Sequence, residues 1–323
     1  SLGTLPADHL LVARAEALRA EMGLDSLLAL DAADTFEPSV HLRPMNASPL
    51  TFLASLLDAE RAAADHRIVA VIGNSLGWYS ALAVGGALDF DDGFRLVQGI
   101  AQLQEEAATE GLGGGQLIYP RVGADWQPVA EYTEALELAL DGAETDGAEK
   151  PDRAFTSVDL GAYVVLAASE AGIARLLDVL PPVRVGERQY PIRLAHHGPY
   201  HTPLLADVAS AAQARFSTLD WRAPSATLID GRGVRFTPWA TNPVDLAWYT
   251  LGDQITTPYR FAASARVALR EYAPDVLVLA GPGNTLGGVT GQQVVAEGYR
   301  GIRTRADFES AQTEHPLVLS MRS

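Results

Sequence analysis

The sequence predicts an α/β fold: a mostly parallel sheet flanked by helices, with a smaller insert. Three observations predict it. Short apolar runs recur between amphipathic stretches, as at 67–72, 226–230 and in "DVLVLAG" (275–281), and strands that alternate with helices favour parallel pairing. A glycine-rich segment near residue 112 marks a change of composition. The 323 residues exceed one ordinary small domain and suit either two domains or a large domain with an insert.

The elements follow in order. An amphipathic helix is expected over 6–22. A second is expected over 49–65, with Ser48 as cap and Pro49 in the first turn. A buried strand at 67–72 runs into "GNSLG" and a helix that opens at Leu76. A helix over 91–108 places Phe94, Val97, Ala101 and Leu103 on its apolar face. "EGLGGGQLIYP" (110–120) reads as a hinge, and "DGAETDGAEKPDRA" (141–154), polar and acidic, as an exposed excursion. "AYVVLAAS" and "RQYPIRLA", on either side of a helix at 170–180, complete a β-α-β insert. The resulting division is a large subdomain of 1–114 and 196–323 and a small one of 115–195. After the insert come a helix over 203–219, a strand at 226–230, a helical stretch over 259–273, a strand and the turn "GPGNTLGG" (Gly281–Gly288).

Composition narrows function. A chain that is 48% hydrophobic and 20% charged fits a globular protein with a large core. The absence of cysteine removes disulfides, thiolate nucleophiles and Cys-based metal sites. A net charge of −16 opposes nucleic acid as a partner. No apolar run reaches the ~20 residues that span a bilayer, and the first residues lack the pattern of a signal peptide, so a cytoplasmic location without membrane contact is expected. The chain also lacks an initiator Met, which leaves room for residues upstream.

Gly73-Asn74-Ser75-Leu76-Gly77 matches G-x-S-x-G between a strand and a helix. Such a turn strains the serine backbone, projects its hydroxyl and aims the following N–H groups at a developing oxyanion. Ser75 is therefore a candidate nucleophile, with a structural turn as the alternative. Among seven histidines, His201 in "AHHGPYHTPLL" is the candidate base, since it opens a helix after a Gly- and Pro-containing loop. A metal site at His196, His197 and His201 lacks a nearby carboxylate, so no metal is expected. "GPGNTLGG" lacks the lysine and spacing of a P-loop.

These segments resemble the malonyl-CoA:acyl carrier protein transacylases and polyketide synthase acyltransferase domains. "GNSLGWYSALAVGGALDFDDGFRLV" is similar to their GHSLGEYSAL segment, "GPYHTPLL" to F-H-S-x-L-M, "QITTPYRFAASARVAL" to Q-L-x-x-P-V-x-W, and "LVLAGPGNTLGGV" to E-x-G-P-G-x-x-L. All four occur in the family's order between residues 67 and 290. The resemblance implies an α/β-hydrolase-like core with a ferredoxin-like insert. It implies that Ser75, assisted by His201, attacks the thioester of an acyl-CoA, and that the thiol of an acyl carrier protein's phosphopantetheine arm then takes the acyl group. No bound cofactor is implied, since both thioesters are substrates. Leu76 N–H would donate to the oxyanion, Gln254 would line the cleft, and backbone carbonyls of 254–257 would orient the histidine.

The sequence also departs from the pattern. The family's N-terminal strand and G-Q-G segment have no visible counterpart. Ile100 stands where malonate-using members carry an Arg for the acyl carboxylate, so an uncharged acyl group is expected. Asn74 replaces a His, and Trp78, in place of Glu or Gln, either narrows the acyl pocket or fills the core. Val158 or Asp159 replaces the Asn of N-x-P-G-Q. These departures leave two further readings open: a serine hydrolase releasing acyl groups from carrier protein or CoA, and a non-catalytic acyltransferase-like partner.

Overall fold

The computed structural model describes residues 5–141 and 152–322; most of the expected excursion at 141–154 lies outside them. The N-terminal part is helical: α1 (Leu10–Glu21), α2 (Leu27–Asp31), α3 (Pro38–His41) and α4 (Pro44–Asp65). The start of α4 corrects the expectation at Ser48. The helix begins at Pro44, and Pro49 sits inside it, buried. A proline within a helix orphans the carbonyl four residues back. Here that carbonyl, Met45 O, accepts instead from Arg19 Nη1 at 2.7 Å and Gln98 Nε2 at 3.1 Å. Both side chains are buried, and Arg19 further donates to Asp25 O, Gln98 Oε1 and Asn46 Oδ1. The helix continues through Pro49 because a guanidinium and an amide do the work of the missing N–H.

Strand β1 (Ala70–Ile72) leads into α5 (Gly77–Val84) and α6 (Phe90–Thr109). Asp89 caps α6 by accepting from Asp92 N at 2.9 Å, and its inward face buries Phe94, Leu96, Val97 and Ile100. The insert then runs β2 (Gly115–Pro120), α7 (Ala130–Asp141), β3 (Ala154–Asp159), β4 (Tyr163–Ala168), α8 (Glu170–Val179), the hairpin β5 (Val183–Val185) and β6 (Arg188–Tyr190), and β7 (Ile192–Arg193). Its core, with Leu117, Tyr119, Leu136, Val164, Leu166, Ile173 and Leu176, is separate from that of the surrounding part.

Beyond the insert, the helix expected over 203–219 divides into a 3₁₀ turn (Pro203–Leu205) and α9 (Ala206–Phe216). Next come β8 (Thr227–Ile229), β9 (Arg235–Phe236), α10 (Pro243–Trp248), a π-helical turn (Tyr249–Asp253) and α11 (Gln254–Thr256). The stretch expected as a helix from 259 opens as a strand, β10 (Tyr259–Arg260), before α12 (Phe261–Val267) and a second π-helical turn (Ala268–Tyr272). The chain ends with β11 (Leu277–Leu279), α13 (Thr285–Ala296), α14 (Arg305–Glu314) and β12 (Val318–Ser320). Thus "GPGNTLGG" is a turn only in its first half, since α13 begins at Thr285.

The sheets differ from the single, mostly parallel one expected. β1 pairs in parallel with β8, which pairs antiparallel with β9; β11 and β12 form a separate parallel pair. The largest sheet belongs to the insert, in the order β10-β3-β4-β2-β7, and is antiparallel except where β10 joins β3 in parallel. Strands joined by short turns pair antiparallel, whereas β1 and β8, far apart in sequence, pair in parallel. β10 carries the sheet of the insert into the surrounding part. The C-terminal pair is clasped to α4, where fully buried Asp58 accepts from Arg322 Nε at 2.8 and 3.0 Å and from Gly281 N at 3.0 Å.

Candidate active site

β1 stops at Ile72 and the chain turns sharply into α5. The turn is closed by Gly77 N to Asn74 O at 2.8 Å and Trp78 N to Ser75 O at 3.0 Å. Ser75 sits at its apex with φ +53°, a conformation disfavoured for any residue with a Cβ. The two glycines of the motif have different reasons. A Cβ on Gly73 would lie 2.1 Å from the Gly77 carbonyl carbon, so only glycine lets the strand end pass against the first turn of α5. A Cβ on Gly77 would meet no atom within 4 Å.

The loop from β7 to the 3₁₀ turn carries His201, which is 4% exposed and also has positive φ, +59°. Its Nε2 lies 2.6 Å from Ser75 Oγ and its Nδ1 lies 2.7 Å from Gln254 O. A carbonyl can only accept, so Nδ1 carries the proton and Nε2 presents its lone pair to the serine hydroxyl. Burial pushes the imidazole from 6.5 to about 4, outweighing the opposite pull of the Gln254 carbonyl, with neighbouring His197 adding to the depression. His201 therefore stays neutral, as a general base must. The geometry is that which a nucleophile–base pair requires, with a backbone carbonyl as the orienting third group.

Gln254, 3% exposed, contributes twice. Besides holding His201 through its backbone, it donates from Nε2 to Ser75 O at 3.3 Å, while its Oε1 accepts from Tyr79 OH at 2.8 Å. Leu76 N makes none of the hydrogen bonds that close the turn, which leaves it the backbone donor next to Ser75. Asn74 also belongs to the turn; its Oδ1 is buried without a hydrogen-bond partner among the described residues.

Two residues expected at the acyl pocket lie in the core. Trp78 is fully buried, donates from Nε1 to Thr250 Oγ1 at 2.9 Å, and has its ring against Phe236 and Tyr249. Its indole packs in the core against the π-helical turn. Ile100 is 3% exposed in the same apolar cluster. Nearby Arg95 pairs instead with Glu21 and Asp92, each at 3.7 Å. On the insert, Val158 is buried and Asp159 accepts from Arg121 at 2.7 Å and Gly161 N at 2.9 Å.

Sequence reasoning missed a polar chain under the His201 loop. His197 Nδ1 lies 2.6 Å from Gln116 Oε1, Gln116 Nε2 donates to Ser157 Oγ at 2.6 Å, and Ser157 donates to Tyr200 O at 2.7 Å. Buried Gln116 and Ser157, on β2 and β3, anchor the backbone next to His201 to the insert. The only signal in the sequence was a polar residue within each apolar strand.

No family model matches the chain. Among curated proteins, it is 27% identical over 269 residues to the malonyl CoA-acyl carrier protein transacylase of Mycobacterium tuberculosis, spanning 81% of this chain and 79% of that protein. The Haemophilus influenzae protein of that name is 28% identical over 228 residues, or 68% of this chain and 63% of that protein. Among solved structures, a malonyl-transacylase in complex with its type II polyketide synthase acyl-carrier protein matches with a TM-score of 0.74 at 19% identity, covering 100% of this chain and 92% of that one. An acyl carrier protein S-malonyltransferase from Vibrio cholerae matches at 0.69 and 22%, covering 89% and 87%. Identities this low establish the shared fold alone. In sequence the chain is similar, over 81% of its length, to proteins named malonyl CoA-acyl carrier protein transacylase, which are acyltransferases.

Proposed function

We propose that this acyltransferase moves an acyl group from acyl-CoA to an acyl carrier protein through an acyl-serine at Ser75. The observation that carries the reading is the 2.6 Å contact between Ser75 Oγ and an imidazole whose other nitrogen is fixed by a carbonyl. His201 Nε2 takes the Ser75 proton as Oγ bonds to the thioester carbonyl carbon. Leu76 N–H donates to the resulting oxyanion. The carbon–sulfur bond breaks, His201 returns the proton to the departing CoA sulfur, and the acyl-serine remains. The phosphopantetheine thiol then gives its proton to His201, attacks the acyl carbon, and displaces Ser75, which is reprotonated. Kinetics are ping-pong.

The donor is an uncharged acyl group. A malonyl carboxylate needs a cationic partner, and the position that carries Arg in the malonate-using pattern holds Ile100, a buried apolar side chain that supplies no charge. We also read the core as α/β-hydrolase-like and the insert as ferredoxin-like. The insert's β2-α7-β3-β4-α8-β7 order, interrupted by one hairpin, supports the latter. The work is assigned to the cytoplasm; no described helix is long and apolar enough to cross a membrane.

Intact-mass spectrometry after incubation with malonyl-CoA, acetyl-CoA and longer acyl-CoAs tests the reading. The expected result is a stoichiometric adduct from the uncharged donors, absent in Ser75→Ala and discharged by carrier-protein thiol. Discharge at the same rate without carrier protein makes the chain a hydrolase. A preference for malonyl-CoA refutes the donor assignment.

A further inference from the structure

Ser75 and His201 meet across 126 residues of sequence, and both hold positive-φ backbones. Neither conformation is self-supporting, so the groups that hold the two loops in register matter. One side chain touches both. Tyr259 OH donates to Gly73 O at 2.7 Å, two residues before the nucleophile, and the Tyr259 ring lies 5.6 Å from the His201 ring, tilted by 53°.

The ring has little freedom to move. Tyr259 is 1% exposed. Its backbone is fixed opposite Val158 where β10 joins the insert's sheet. A Cβ on Gly231 would lie 2.7 Å from the ring, so that glycine makes the space in which the ring sits. Burial holds the phenol far above its ordinary range, and it remains a donor at every working pH. On the other side of the turn, Gly73 is pressed against the start of α5. The strand end is therefore gripped from two sides: by the α5 backbone and by a rigid phenol. The motif quoted for this segment has valine at that position, which offers no hydroxyl.

The geometry points to Tyr259 as a positioning residue for the reaction: it sets the Ser75 turn through the Gly73 carbonyl while its ring backs the imidazole that activates Ser75. Without the hydroxyl, Gly73 O is left buried without this donor, and the turn relieves that cost by rotating toward another partner. Ser75, strained at the apex, is the residue that rotates most readily, and Oγ leaves the line to Nε2. The inference rests on Ser75 being the nucleophile and is independent of acyl donor or acceptor.

The test is the second-order rate of Ser75 labelling by a fluorophosphonate, read by intact mass on the full chain, with the melting temperature measured in parallel. Tyr259→Phe keeps the ring and removes the bond; labelling is expected to slow by about tenfold or more. Gly231→Ala displaces the ring without removing the hydroxyl and is expected to slow labelling as well. Tyr119→Phe is the control. Its phenol donates to Pro181 O at 2.9 Å inside the insert, so it loses the same kind of bond away from Ser75. It is expected to lower the melting temperature and leave labelling unchanged. Labelling of Tyr259→Phe within about twofold of wild type, or an equal loss in Tyr119→Phe, overturns the proposal. Wild-type protein left unlabelled at Ser75 overturns the nucleophile assignment and this proposal together. Labelling in wild type without any acyl transfer overturns only the transfer reading.

Discussion

Acidification probes the state of His201 directly. An ordinary histidine titrates at 6.5, and burial brings His201 to about 4. At pH 5.5 an ordinary imidazole is about nine-tenths protonated and a base-dependent rate falls about tenfold. His201 is only a few per cent protonated there, so labelling of Ser75 should hold its rate to pH 5 and fall near 4. Stability carries the same signature. Between pH 6.5 and 4 the unfolded chain binds a proton at this position and the folded chain does not. Stability therefore falls as pH falls through that window, by about 3 kcal/mol in all and about 1 kcal/mol by pH 5.5. The assay pairs labelling rate with urea unfolding from pH 8 to 4 at constant ionic strength. His201→Gln serves as the reference that cancels other titrating groups. The stability difference between wild type and this variant should shrink by about 1 kcal/mol between pH 7 and 5.5. A half-loss of labelling between pH 6 and 7, with a stability difference that does not move, refutes the burial argument.

Two further outcomes follow from packing. Asp58→Ala strips Arg322 and Gly281 N of a fully buried carboxylate partner; it should cost about 3–5 kcal/mol in chemical denaturation, and a loss below about 1 kcal/mol would contradict the clasp. The two motif glycines should part company. Gly73→Ala places a Cβ 2.1 Å from backbone and should abolish labelling or folding, whereas Gly77→Ala meets open space and should fold at near wild-type stability, gaining a little from helix propensity. Equal damage from both would show that the turn is not packed as described.

What the sequence made legible was local. The strand, tight turn and helix around Ser75 are consecutive, so their periodicity and glycines announce them. His201 stood out because its neighbours are Gly, Pro and a helix start. The helices expected over 91–108 and 170–180 match α6 and α8 to within a residue at each end. The failures were long-range. The expected start at Ser48-Pro49 followed sound rules for helix beginnings. It failed because Arg19 and Gln98, distant in sequence, satisfy the carbonyl that Pro49 orphans. Trp78 could be assigned to core or pocket only once Thr250, Phe236 and Tyr249 were in place around it. The second role of Gln254, the grip of Tyr259 on Gly73 and the Gln116–Ser157 relay each join residues tens to hundreds of positions apart. No period or cap encodes such pairs. The parallel bias expected for the whole fold failed for a related reason, since β2 finds antiparallel partners in β4 and β7, which follow it only after intervening helices.

The site closes only when Gln254 reaches Ser75, 179 residues downstream. At synthesis rates of about 5–20 residues per second, the nucleophile emerges some 9–36 s before the residue that holds its carbonyl and its base. During that interval the insert, whose buried core cluster lies within residues 117 to 190, has emerged except for its edge strand β10, while β1 still waits for β8. A ribosome-bound chain thus passes through a stage in which the insert's sheet still has β3 as an open edge and β1 has no partner, and that stage is where chaperone dependence and aggregation should concentrate.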